Sequence, residues 1–222
     1  MKWGENKTMT QEELNVILEK HQKWLQGEPG GERVDLQGAK LQWVDLQEAN
    51  LQWANLQGAN LRGANLKRAE LQWANLRGAD LQGAKLQGVD LQEANLQEAN
   101  LQGANLRGAN LKRAELQWAN LRVANLQGVD LKGADLQWAN LQRADLQRAN
   151  LKGADLDYSC WPLWCGSLDA KADQRLAAQI AYHFCRLDCD DPEYIKARNA
   201  IRDFANKFHR VEECGRIEVK DE

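Results

Sequence analysis

Val34-Asp35-Leu36-Gln37-Gly38-Ala39-Lys40-Leu41-Gln42-Trp43-Val44-Asp45-Leu46 opens a stretch that keeps one register as far as Tyr158. Leucine stands at every fifth position from Leu36 to Leu156, 25 times without a skip, and two residues before each stands Ala or Val. A period of five fits neither the 3.6 of an α-helix nor the 2 of a strand. Offsets 0 and −2 share one side of an extended segment, so Leu and Ala point inward together. The residues at −1, +1 and +2 lie outside or in a turn, and the chain must turn within every unit to aim successive leucines at one axis.

Units such as Ala54-Asn55-Leu56-Gln57-Gly58 and Ala79-Asp80-Leu81-Gln82-Gly83 resemble the pentapeptide repeat family, whose pattern is A(D/N)LXX. The resemblance covers all 25 units, residues 34–158. It implies a mainly β fold: a right-handed quadrilateral β-helix with four pentapeptides per coil, here about six coils. An independent check lies in the aromatic residues. A square coil puts residues 20 apart above one another, and Trp118, Trp138 and Tyr158 keep that spacing, as do Trp53 and Trp73. One face of the core ladder then reads Leu36, Leu56, Leu76, Leu96, Leu116, Leu136 and Leu156.

Small Ala at the −2 position suits a narrow core that larger residues would overpack. Asn or Asp fills 21 of the 25 positions before Leu, which suits side-chain hydrogen bonds at bends. Gly fills only 11 of the +2 positions, with Trp, Glu, Arg, Val and Tyr at others, so the turn is not expected to require a positive φ there. Residues 46–77 match 91–122 except at Trp53 against Glu98. That offset of nine units moves each copy to a different side, so the echo preserves no face. It points to recent tandem duplication or an engineered consensus array.

Residues 1–33 read as an N-terminal helical cap. Thr10 and Glu13 have capping-box spacing, and Leu14, Ile17, Leu18, His21, Trp24 and Leu25 share one face of a helix over about 11–26. Gly27, Pro29, Gly30 and Gly31 end it. The open first coil of the array is the natural surface for that face, because a bare terminal coil exposes apolar surface and unpaired backbone. Residues 159–222 read as a C-terminal α-helical cap. A helix over about 170–187 carries Leu176, Ala177, Ile180, Ala181 and Phe184. A second, capped by Asp191 with Pro192 behind it, carries Tyr194, Ala197, Ile201, Phe204 and Phe208.

The chain has 222 residues and a net charge of −3, which directs it to neither nucleic acid nor a membrane. Neither a signal peptide nor a run of membrane-spanning length is visible, so a cytoplasmic location with reduced thiols is expected. The best-known members of the resembled family mimic duplex DNA and occupy a type II topoisomerase such as gyrase. Residues 34–158, however, hold 14 acidic and 14 basic side chains. Duplex DNA of the expected length, about 30 Å, carries about 18 charges. Even the most acidic side sets only Asp35, Glu98, Glu115, Asp135, Asp155 and Asp157 against Arg77.

All five cysteines follow the array, and Cys160, Cys165, Cys185 and Cys189 are weak candidates for a metal. Their C-x4-C…C-x3-C spacing is not that of a zinc knuckle. Cys165 with His183 lacks a pocket or an orienting third group, and the array offers no catalytic set, so neither enzymatic activity nor a cofactor is expected. Trp118, Trp138 and Tyr158 form either a docking strip or a stacking ladder. The expectation is a non-enzymatic scaffold with a protein partner. A DNA-mimicking inhibitor or protector of gyrase is the alternative.

Overall fold

The structure is a computed structural model that describes residues 9–160, 170–186, 191–209 and 211–219, with only the backbone of His183. It divides into two units, Met1–Lys171 and Ala172–Glu222.

In the first unit, each residue preceding a leucine pairs in parallel with the residue 20 further on, from Asp35 with Asn55 to Asn140 with Cys160. Four pentapeptides therefore make one turn of the chain. The pairing passes the last pentapeptide, with Asn150 bridged to Lys171. The backbone hydrogen bonds repeat from one unit to the next. Asn55 N–H donates to Val34 O (3.1 Å), and Leu36 N–H donates to Asn55 O (2.7 Å). Gly38 N–H reaches Gln57 O (2.9 Å), while Ala39 N–H closes the turn onto Leu36 O (3.0 Å). This pattern repeats up the stack and satisfies polar groups that burial would otherwise penalise.

The leucines fill the interior. Leu36, Leu56, Leu76, Leu96, Leu116 and Leu136 are wholly buried, and Leu156 is 3% exposed at the far end of its column. The Ala and Val partners are buried beside them, save Ala49, which is half-buried. The −1 side chains fold back to cap the turn, as where Gln47 N–H donates to Asp45 Oδ1 (3.0 Å). They also climb the stack. Asn55 Nδ2 donates to Asp35 Oδ1 (2.8 Å), and Asn110 Nδ2 donates to Asp90 Oδ1 (2.9 Å).

One expectation fails. All 25 residues at +2 have positive φ, the 14 that are not glycine included, from Arg113 at 54° to Trp43, Trp53 and Trp118 at 63°. With the i→i+3 hydrogen bond this is the signature of a type II turn, which needs a left-handed third residue whatever its side chain. The left-handed conformation costs about 1–2 kcal/mol per L-residue. The coils above and below hold it in place through paired backbone.

The helix α1, Gln11–Leu25, begins at Thr10 with a complete capping box. Glu13 N–H donates to Thr10 Oγ1 (3.2 Å), and Thr10 N–H donates to Glu13 Oε2 (3.0 Å). Leu14 and His21 are fully buried. The segment also takes the hydrogen-bonding positions that a preceding coil would fill. Met9 N–H donates to Lys40 O (3.2 Å). The Gln11 carboxamide donates to Asp45 O (2.9 Å) and accepts from Asp45 N–H (3.0 Å), as an adjoining strand would.

The second unit holds α2, Gln174–Cys185, α3, Pro192–Ala205, and the short α4, Val211–Cys214. Asp191 caps α3, its carboxylate accepting from Glu193 N–H (2.9 Å) and Tyr194 N–H (3.0 Å). The buried faces differ from the expected stripes. Tyr182, Cys185, Ala205, Phe208, Val211 and Ile217 form the core, whereas Ile180, Phe184, Phe204 and Ala197 are exposed. The reason is polar. Tyr182 Oη lies 3.0 Å from Cys214 O and 2.6 Å from Gly215 O, and Arg198 Nε donates to Cys185 O (3.0 Å). These bonds turn the helices so that a tyrosine and a thiol, rather than the larger aliphatic and phenyl groups, enter the core.

Candidate interaction surfaces

The four sides of the coil are named here by their first residue before leucine: face 1 from Asp35, face 2 from Lys40, face 3 from Asp45 and face 4 from Asn50. The +2 side chains stack along each face. On face 1, Trp118 lies on Trp138 at 4.9 Å between ring centroids and 2° between planes, and Trp138 lies on Tyr158 at 4.1 Å and 8°. The three residues expected to form a strip are thus in contact, and they remain 59%, 44% and 51% exposed. Acidic groups flank them. Gln117 Nε2 donates to Asp135 Oδ2 (2.6 Å) and Gln137 Nε2 donates to Asp155 Oδ2 (2.8 Å), so these carboxylates are fixed beside the rings.

Face 4 carries a different column. Trp53 stacks on Trp73 at 4.8 Å, Trp73 Nε1–H donates to Glu93 (3.0 Å), and Glu93 pairs with Arg113 at 3.6 Å. On face 3, Glu48 pairs with Arg68 at 3.6 Å. On face 2, the Trp43 ring folds over Gly63 and fills the space a side chain would take there. The exposed ion pairs contribute little individually, about 0–1 kcal/mol.

The arrangement also contains a basic cleft that a sum over each face conceals. A cavity of about 440 Å³ on face 4 is lined by Gln92, Lys112, Arg113, Lys132, Gly133, Lys152 and Gly153. Four acids cancel these charges in the face total, but three of them, Glu70, Asp90 and Glu93, are placed lower down, and only Asp130 stands among the bases. A coil-by-coil charge map would have found the separation.

His21 belongs to the interior. Its Nδ1 accepts from Val34 N–H (3.2 Å), and Nε2, 3.0 Å from Gln52 O, must therefore carry the proton. Burial holds its pKa below the ordinary value, against a smaller opposing effect from the Gln52 carbonyl. The ring also stacks on Trp24 at 5.5 Å.

Of the four cysteines considered for a metal, Cys165 and Cys189 lie outside the described residues, as does the His183 side chain. Cys160 is an exposed free thiol in the first unit, and Cys185 is a buried one in the second. Burial raises the Cys185 pKa, partly countered by Arg198, and its thiol contacts Arg198 O at 3.7 Å. That environment disfavours the thiolate needed for metal ligation or attack. No group of three or more His, Cys, Asp or Glu suited to a metal occurs among the described residues.

The family model for pentapeptide repeats matches in eight copies, including residues 45–83, 54–92, 90–128 and 119–157, which together span half of the chain. The chain belongs to the pentapeptide repeat family, whose members fold as right-handed quadrilateral β-helices. Among solved structures it is similar to alr5209 from Nostoc PCC 7120, at 40% identity over 44% of this chain and 84% of that one, TM-score 0.37. It is similar also to Rfr23 from Cyanothece 51142, at 26% identity over 72% and 99% of the two chains, TM-score 0.28. QnrB1, a plasmid-mediated fluoroquinolone resistance protein, aligns at 20% identity over 67% and 89%, TM-score 0.36. No match was found among curated proteins. No helix among the described residues is long and apolar enough to cross a membrane.

Proposed function

We propose that the chain is a non-enzymatic interaction scaffold: a solenoid of about six coils, closed at its N-terminal end by α1, that presents face 1 to a protein partner. The observation that carries this reading is the Trp118–Trp138–Tyr158 stack, pre-ordered yet about half exposed, with Asp135 and Asp155 held beside it. Stacked rings lose little conformational freedom on binding, and aromatic anchors dominate interface energetics. Their quadrupoles and the flanking carboxylates suit a Lys- or Arg-rich segment. The fixed rings and the closed leucine core offer a surface for binding.

Titration of the full chain with an Arg-rich peptide, followed by tryptophan fluorescence, tests this reading. Binding that is lost in the W118A/W138A/Y158A variant supports it, and equal binding by the variant removes it. The gyrase reading is opposed by the even charge of the array, so no inhibition of DNA supercoiling is expected at micromolar protein. A cytoplasmic location is part of the proposal and suits the free thiols of Cys160, Cys185 and Cys214.

A further inference from the structure

The geometry points to a binding site for a short oligophosphate in the cleft on face 4, with Lys112, Lys132 and Lys152 as its donors. These three residues occupy the +1 position in consecutive coils, as the pairing of Asn110 with Asp130 and of Asp130 with Asn150 requires. At a rise of about 4.8 Å per coil their stems are spread over about 10 Å. Placing like charges directly above one another is unfavourable in a sheet, and the other faces avoid it. Gln87 separates Lys67 from Arg107 on face 3, and Gln82 with Gln102 separates Arg62 from Arg122 on face 2. Only face 4 stacks three bases at this position.

Space and charge coincide. Gly133 and Gly153 stand where other coils carry Trp, Glu or Arg, and they leave the cleft open. Lys112 shares its charge with Asp130 at 3.4 Å, and Arg113, which packs over Gly133, is paired with Glu93. Lys132 and Lys152 have no ion-pair partner among the described residues. An anion entering between them would gain charge-assisted hydrogen bonds without displacing a carboxylate.

The surroundings choose among anions. No aromatic or large apolar side chain lines the cleft, so it has no means of holding a base. Glu93, Asp90 and Glu70 continue the face below and repel a longer polyanion. The donors are ammonium groups rather than guanidinium forks, which suits compact phosphoryl oxygens better than paired carboxylates. A chain of about three phosphoryl groups meets all of these conditions.

The test is calorimetric titration of the full chain with inorganic tripolyphosphate at low and moderate salt. Gln fills 16 of the 25 +1 positions, so K132Q/K152Q restores the common residue and should retain the fold, which thermal melting checks. Binding by the native chain, weakened by about tenfold or more in K132Q/K152Q and unchanged in the face 3 control K67Q/R107Q, supports the site. Absence of binding overturns it, as does equal loss in the control or equal affinity for orthophosphate. Displacement of tripolyphosphate by a lower concentration of single-stranded oligonucleotide assigns the cleft to nucleic acid and overturns the ligand class.

Discussion

His21 Nδ1 accepts a hydrogen bond from the Val34 N–H at 3.2 Å, joining a helical side chain to the first residue of the repeat register. Protonation of Nδ1 would destroy that acceptor. Because the folded pKa is lowered, the unfolded state binds the proton first, and the stabilisation is fully present above the ordinary imidazole value of 6.5. It is lost progressively as pH falls below that value. Hydrogen exchange of the α1 amides is expected to accelerate between neutral and mildly acidic pH beyond the intrinsic chemical trend, with protection in the central coils unchanged.

Replacing the imidazole should have the same local reach. His21→Ala leaves the buried Val34 N–H and Gln52 O without their partner, at about 1–3 kcal/mol for each unsatisfied group. The loss should appear as faster exchange in α1 and the first coil and should become independent of pH around 6. Uniform destabilisation of the whole array would contradict this view of α1 as a local closure.

The leucine column makes a different demand. Leu96 is wholly buried with coils on both sides. Leu96→Ala should cost about 2–5 kcal/mol, because neighbours fixed by inter-coil hydrogen bonds cannot collapse into the cavity. Chemical denaturation should show a lower midpoint, with a split transition if the two halves of the stack separate.

The leucine register and the four-sided stack were legible because both leave periodic marks: Leu at every fifth residue and aromatic residues at every twentieth. The positive φ at +2 was not, since Trp43, Arg68 and Val123 are residues that local preference keeps out of that conformation. Only the hydrogen bonds between coils explain them. The helical faces of the second unit were read only in part, with Leu176 and Phe208 buried as expected but Ile180, Phe184 and Phe204 exposed, for a related reason. Apolar periodicity ranks Ile180 and Phe184 above Tyr182 and Cys185, and it contains no information about the carbonyls at Cys214 and Gly215 that hold Tyr182 inward.

Val123 gives a direct measure of the turn strain. It is a β-branched residue at φ 61°, 48% exposed. Val123→Gly relieves left-handed strain of about 1–2 kcal/mol against a glycine entropy cost of about 0.5–1 kcal/mol, so a small rise in Tm is expected. The reverse change at Gly63 should be harmful, because a β-branched residue is strained at φ 63° and the Trp43 ring must move aside for it. Gly63→Val should lower the Tm in the same thermal melt, while Val123→Gly leaves tryptophan emission unchanged.

The duplicated segments separate local sequence from register. Trp73 and Trp118 stand at matching places in 46–77 and 91–122, yet their partners differ. Trp73 has Trp53 on one side and Glu93 on the other, whereas Trp118 has Trp138. Neighbours at ±20 therefore decide what each ring does. Trp53→Glu makes the two segments identical in sequence, but it removes a ring from face 4 alone. It should cost about 0.5–1.5 kcal/mol of stacking beyond the lost buried area. Near-UV dichroism should lose the Trp53–Trp73 contribution and keep that of Trp118–Trp138. Trp138→Ala should do more, because it breaks two stacks at once and leaves Trp118 and Tyr158 without a common neighbour. If Trp53→Glu instead perturbed the face 1 signal, the faces would be coupled through the core. The view of each column as an independent ladder would then fail.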